Sequence, residues 1–341
     1  MKKNLALLFS FRIALDKWYE MGIIERELKL YNLLAKDFEK IYFFTYGGKL
    51  DKQFKKYCAE NIEIISVPLL QKGGDSKILI PYLFLYSLLL PLLHLKLFKK
   101  IDIIKTNQIS GSWTALIAKC FYKIKLIVRC GYVWSIFSKR NKDSFIKYYL
   151  KRWIEKLAVK YSDKVICAKE SDKKYLAYKK KFLEKIIIEP NYVDTELFKP
   201  MDAFKKENSL IYVGRLEQQK NLKMLLGALK DTTYSLTIIG KGSLKSELVQ
   251  LAQKNKINVK FRDNVLHNDL SKIFNEHMIF VLPSLYEGTP KVLIEAMACG
   301  MPVIGTNVDG INEIVANGEN GILSQLNKAD LKSKINMLLN S

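Results

Sequence analysis

The sequence predicts an α/β protein of two doubly wound, Rossmann-like domains. Three observations carry this. Short apolar runs alternate with helical patterns along the whole chain, as in βαβ units feeding a parallel sheet. A length of 341 residues is enough for two hydrophobic cores. The stretch Glu189-Pro-Asn-Tyr-Val-Asp-Thr-Glu-Leu-Phe-Lys-Pro200 is turn-rich and interrupts the alternation, so the domains are expected at 1–190 and 191–341.

The first element, Met1-Lys-Lys-Asn-Leu-Ala-Leu-Leu-Phe-Ser-Phe, imitates a signal peptide, yet its apolar run is only about seven residues, with no small-residue cleavage site after it. A buried first strand is the better reading. Strands are expected near 4–10, 41–45, 62–67, 102–106, 124–129 and 164–168, with helices near 22–36, 78–98, 112–122, 143–161 and 171–181. In the second half strands are expected near 209–213, 235–239, 258–262, 278–282 and 302–305. Residues 78–95 carry no formal charge between Lys77 and Lys96, the lower limit for a transmembrane span. Pro81 and Pro91 interrupt the run. It reads as a span, a buried domain helix or a helix dipped into a membrane interface, and a span would cut the first sheet in two.

Composition is that of a globular protein, 49% hydrophobic and 26% charged. Five scattered cysteines without CxxC spacing and three histidines argue against a disulfide framework or a zinc site. The net charge of +22 is uneven: residues 1–190 hold 38 basic and 18 acidic side chains, and 191–341 hold 18 and 16. Charge confined to one domain implies an anionic partner for it: a membrane surface, a lipid diphosphate or nucleic acid. Residues 139–185, with 16 bases against 6 acids and interleaved aromatic residues, read as a surface for anionic lipid. The chain shows no helix-turn-helix, zinc or RNA-binding signature, so nucleic acid is not expected.

The most informative segment runs from Ser284 to Thr306: Ser-Leu-Tyr-Glu-Gly-Thr-Pro-Lys-Val-Leu-Ile-Glu-Ala-Met-Ala-Cys-Gly-Met-Pro-Val-Ile-Gly-Thr. It follows an apolar strand, and Thr289 as N-cap with Pro290 at the first position would open a helix closed by Gly300 and Pro302. Free N–H groups at such a start, with the helix dipole, make an anion site. Glu287 would stand at its mouth and Glu295 about a turn and a half further in. These residues resemble the Glu-x7-Glu signature of family 4 retaining glycosyltransferases, which have the GT-B fold.

Further motifs extend the resemblance. Leu210-Ile-Tyr-Val-Gly-Arg-Leu-Glu-Gln-Gln-Lys-Asn-Leu is a strand, a glycine turn at Gly214 and a helix start, with Arg215 and Lys220 placed to hold a diphosphate. The resemblance implies that they bind the donor's leaving group. It implies a donor-nucleotide loop at Gly240, Lys241 and Gly242, a base contact at Asn264, and further donor contacts at Gly288, Thr289, Pro290, Lys291 and Val292. Gly22 stands where the family has a Gly-Gly turn before its first helix; it reads either as a phosphate contact or as an ordinary helix start. Acceptor-side candidates are Asn107, Arg129 and Cys130, the last standing where family members often carry His. Cys130 has no His partner nearby and reads as an unreactive residue rather than a nucleophile.

The resemblance therefore implies a GT-B enzyme whose two domains face a cleft, transferring a sugar from a nucleotide-diphosphate donor with retention. Glu287 would orient sugar hydroxyls, Glu295 would bind the ribose, and Arg215 and Lys220 would neutralise the departing diphosphate. No Asp-x-Asp ends a strand, so no metal and no cofactor are expected. Expected partners are a UDP- or GDP-sugar, a lipid-linked glycan acceptor and an anionic membrane surface. The place would be cytoplasmic, peripheral on the inner membrane face, in lipopolysaccharide, O-antigen or capsule assembly. The alternatives are another GT-B enzyme (an inverting transferase or a nucleotide-sugar epimerase) and a basic nucleic-acid-binding protein.

Overall fold

A computed structural model describes residues 2–71, 77–263 and 265–340. The chain divides into two compact units, Met1–Pro190 and Asn191–Ser341, each with its own hydrophobic core.

In the first unit, strands β1 (Lys3–Leu8), β2 (Phe38–Phe44), β3 (Ile62–Ile65), β4 (Ile103–Thr106), β5 (Lys125–Cys130), β6 (Lys164–Cys167) and β7 (Ile186–Ile188) pair in parallel, in the order β3-β2-β1-β4-β5-β6-β7. The signal-like start is a central strand: Leu5 pairs with both Ile41 and Ile103, and Leu5 to Leu8 are buried. A strand covered on both faces needs such a continuous apolar run.

Helices follow the expected order with four differences. The helix expected over 22–36 is α2 (Ile24–Leu34), and a short helix that the sequence did not predict, α1 (Leu15–Glu20), precedes it. Gly22 separates them in the left-handed region (φ 69°), where the Gly22 N–H donates to Tyr19 O and the Ile23 N–H to Trp18 O, each at 2.9 Å. That pair of bonds terminates α1 and demands a residue without a Cβ penalty. The run expected as one helix over 78–98 breaks at His94 into α3 (Ile80–Leu93) and α4 (Leu95–Phe98). Pro91 lies inside α3, where it cannot donate to Ser87 O, and that carbonyl accepts the Thr114 hydroxyl at 2.9 Å instead. The helix expected over 171–181 is shorter, α8 (Glu170–Leu176). Between them lie α5 (Ser112–Phe121) and α7 (Phe145–Tyr161), as expected, and α6 (Trp134–Arg140), which the sequence did not predict.

In the second unit β8 (Ser209–Val213), β9 (Ser235–Ile239), β10 (Asn258–Arg262), β11 (Ile279–Leu282), β12 (Val303–Thr306) and β13 (Ile322–Ser324) are parallel, in the order β10-β9-β8-β11-β12-β13. Helices α9 (Leu222–Leu229), α10 (Lys245–Lys254), α11 (His267–Asn275), α12 (Lys291–Ala298) and α13 (Lys328–Leu339) complete it. The strand order reverses between β8 and β11. In doubly wound sheets, ligands sit outside the carboxyl ends of strands at such a switch point.

Candidate active site at the switch point of the second unit

Three loops meet at this switch point: residues 214–221 after β8, 240–244 after β9 and 283–290 after β11. The Gln219 carbonyl accepts the Leu285 N–H at 2.8 Å, and the Gln219 side chain donates to Tyr286 O at 2.8 Å. The Leu216 N–H donates to Lys241 O at 2.9 Å, and the Ser243 hydroxyl donates to Glu217 at 2.8 Å. Two glycines are sterically required. A Cβ on Gly240 (φ 142°) would stand 2.0 Å from Gly214 O, and one on Gly310 (φ 83°) 2.1 Å from Gly288 O.

This scaffold fixes Glu287. Its N–H donates to Asp309 O at 3.1 Å, and its buried carboxylate accepts the Ser284 hydroxyl at 2.6 Å and the Lys220 ammonium at 2.5 Å. Lys220, expected to reach a diphosphate, is thus paired with Glu287, each neutralising a charge that burial alone would penalise. Arg215 is exposed at the end of β8. Its carbonyl accepts the Tyr212 hydroxyl at 2.9 Å, and no carboxylate among the described residues pairs with its guanidinium. Burial raises the Tyr212 phenol well above its ordinary pKa, so it stays a neutral donor.

The helix after Glu287 starts later than expected. α12 begins at Lys291, Pro290 holds the cap position, and no side chain caps it. Pro290 is extended (ψ 104°), so it is the cap residue rather than the first helical one, and Thr289 stands one position ahead of the cap. Instead the Thr289 carbonyl accepts the Asn191 amide at 2.8 Å. The first N–H groups of α12, at Lys291 and Val292, have no acceptor within the helix. Lys291 also lies 5.8 Å from the Tyr192 ring.

Glu295 is buried in α12, and its carboxylate meets His267 Nε2, on the first residue of α11, at 3.0 Å. The Phe198 ring packs on that imidazole with centroids 4.9 Å apart. His267 escaped the sequence reading. Its only local signal is a histidine at a helix start just after β10. Gly288 lies between Glu287 and the α12 start, and Lys241 is exposed on the β9 loop. Asn264 lies outside the described residues, and its neighbour Asp263 pairs with Lys245 at 2.6 Å.

The first-unit candidates scatter more. The Gly22 N–H is taken by Tyr19 O, so the phosphate contact considered for it gives way to helix termination. Cys130 is fully buried, its thiol donating to Tyr132 O at 3.1 Å, and burial raises its pKa well above the usual value. That removes it from acceptor contact. Asn107 and Arg129 do stand at strand ends: the Asn107 N–H donates to Leu8 O at 2.8 Å and the Arg129 N–H to the Thr106 hydroxyl at 3.1 Å.

The profile of the family described as Glycosyltransferase Family 4 matches residues 30–197, and that of Glycosyl transferases group 1 matches residues 193–341. The chain belongs to the family 4 glycosyltransferases. This family member is 31% identical over 265 residues to the Escherichia coli UDP-Gal:alpha-D-GlcNAc-diphosphoundecaprenol alpha-1,3-galactosyltransferase, covering 71% of this chain and 66% of that protein. Two further curated relatives are matched over 53% and 54% of their own lengths. Among solved structures, sucrose-phosphate synthase from Thermosynechococcus elongatus superposes with a TM-score of 0.79 at 19% identity, covering 100% of this chain and 90% of that one. Anabaena HepE in complex with UDP and glucose gives 0.74 at 17% identity, with coverage of 100% and 90%. At such identities the likeness establishes the fold, which is GT-B.

Proposed function

We propose that this chain is a retaining glycosyltransferase that moves a sugar from a UDP- or GDP-sugar to a hydroxyl of a lipid-linked glycan, in bacterial cell-surface polysaccharide assembly. The observation that carries the proposal is the buried Glu287–Lys220 pair, set at the switch point beside the uncompensated Arg215 and the start of α12. A departing diphosphate needs positive charge already in place, and Arg215, Lys220 and the first amides of α12 supply it without a metal ion. Held by Ser284 and Lys220, Glu287 suits orientation of sugar hydroxyls better than proton removal. The donor phosphate can take the acceptor's proton, which corresponds to front-face transfer with retention. Glu295 addresses the ribose. The first unit, with Asn107 and Arg129, takes the acceptor. The name of the E. coli relative, with its UDP-galactose donor and diphosphoundecaprenol acceptor, supports this choice of substrates.

We assign the protein to the inner face of the cytoplasmic membrane, bound peripherally through the charge of its first unit. No helix among the described residues is long and apolar enough to cross a membrane. A donor-hydrolysis screen across UDP- and GDP-sugars, with the product anomer read by NMR, tests the reading. One nucleotide class should support release of the α-anomer from an α-linked donor. Arg215→Ala should cut turnover about a hundredfold, the scale for losing one stabiliser of developing charge, and EDTA should leave activity intact. An inverted product, or EDTA inhibition relieved by manganese, would overturn the mechanism.

A further inference from the structure

The first unit carries an apolar surface that sugar transfer leaves unused. α3 is apolar all round. Leu83, Tyr86 and Leu90 are buried, but Phe84, Leu85, Leu89, Leu92 and Leu93 are 38–57% exposed. α7 has a matching stripe: Phe145, Ile146, Tyr149, Leu150 and Trp153 follow the spacing of one helix face and are 53–78% exposed. α5 packs against both helices, so the two stripes belong to one helical layer. Single exposed apolar residues are ordinary, whereas two ordered stripes in one layer mark a surface that something covers.

The chemistry around the stripes selects the cover. Lys142, Lys147 and Lys156 are exposed beside the α7 stripe, within a stretch of 16 bases and 6 acids. Aromatic residues bordered by lysine suit the headgroup boundary of an anionic bilayer. A second copy of this chain would set one strongly basic unit against another, which their repulsion opposes. The apolar surface also runs inward. The Phe84 ring lies 6.2 Å from Phe11, Phe11 5.5 Å from Trp113, and Trp113 6.3 Å from Trp134. Phe11 follows β1 and Trp134 follows β5, so these rings lead to the strand ends where Asn107 and Arg129 stand. α3 is too short to span, since its 14 residues rise about 21 Å against a hydrocarbon core of about 30 Å.

We infer that the outer faces of α3 and α7 insert their apolar side chains into the acyl boundary of an anionic membrane. This rests on the lipid-linked acceptor proposed above and adds the surface and its mode of contact.

Trp153 is an exposed tryptophan on the inserted stripe and provides the test. The full chain is mixed with phosphatidylglycerol–phosphatidylcholine vesicles carrying acyl-brominated lipid. Trp153 fluorescence should be quenched, and Trp153→Phe should remove the quenched component. Leu85→Glu with Leu93→Glu, and separately Ile146→Glu with Leu150→Glu, should each weaken vesicle binding about tenfold or more, because all four side chains leave water on insertion. Nucleotide binding by these variants, which alter only exposed positions, checks that they fold. Binding abolished by high salt with Trp153 unquenched would overturn insertion and leave electrostatic adsorption. So would a dimer in solution that the same variants dissolve, which would make the face a self-association surface. No binding to any vesicle would overturn both the insertion and the membrane placement. Failure of donor cleavage alongside normal quenching would strike the transferase reading alone.

Discussion

Glu287 and Lys220 are 67 residues apart in sequence and share one hydrogen bond at the site. Groups that act as a unit respond non-additively to mutation. Lys220→Ala and Glu287→Ala are each expected to lower turnover about a hundredfold, and the double variant little further. Each single variant should also melt lower than the double, because it leaves one buried charge alone, at a cost of about 3–5 kcal/mol. Additive kinetic losses would mean that the two side chains work separately. Glu295 needs a different separation, since it serves His267 as well as the proposed ribose. Glu295→Gln should weaken UDP binding by about 1.5–3 kcal/mol, the range for a hydrogen bond to a charged group, while His267→Asn changes it little. Calorimetry showing equal losses would reduce Glu295 to a packing partner of His267. The thiols give a third expectation. Burial pushes Cys58 and Cys167 up to about 11 and raises Cys130 well above its ordinary value, leaving little thiolate at neutral pH, while Cys120 is exposed. Iodoacetamide should therefore label the native chain at Cys120 first, and rapid labelling of Cys130 would contradict its buried position. Arg215, Lys220, Glu287 and Glu295 were all legible as motif residues, because each follows a recognisable strand and turn. The pairings of Glu287 with Ser284 and Lys220, and of Glu295 with His267, were not, because spacing along the chain carries no information about which distant loop a side chain meets.

At the scale of elements, the sequence showed what a long apolar run can show. β1 and β11 were readable because all-buried strands need unbroken hydrophobic stretches, and β11 is buried at all four positions. β7 and β13, three residues each, are too short to display a pattern, and the six residues of α1 are too few for helical periodicity. α1 was therefore missed and Gly22 left open between a phosphate contact and a helix start, and the shift of the α12 start from Pro290 to Lys291 turned on a single ψ angle. Loop geometry is equally silent in sequence, yet it sets the position of Glu287. Gly310 supports that loop from below, its missing Cβ leaving room for the carbonyls of Glu287 and Gly288. Gly310→Ala combines a close contact with a left-handed φ that alanine adopts at a cost of about 1 kcal/mol or more. It should displace the loop and lower turnover strongly, with a small loss of melting temperature, since the core strands are untouched. Unchanged kinetics would show that the loop tolerates the shift and that Glu287 is not held by this contact.

For the whole molecule, charge and contacts divide in the same place. The first unit has 38 basic against 18 acidic residues and the second 18 against 16. The bonds described around Glu287, Lys220, Glu295 and His267 all lie within Asn191–Ser341, and that unit has a core of its own. Its strand order is complete without the first unit, as expected of a domain able to fold alone. Residues 191–341 produced alone should therefore fold cooperatively and bind the donor nucleotide with nearly the affinity of the full chain, without catalysing transfer. The full chain's attachment to anionic vesicles should fall as salt shortens the Debye length below about 10 Å, whereas nucleotide binding by the isolated unit should respond only as a few local charges do. Calorimetry of the isolated unit and vesicle sedimentation of the full chain, each at low and high salt, measure the two dependences. A fragment that folds but ignores the nucleotide would place essential donor contacts in the first unit, and the division of labour read from charge would have to be redrawn.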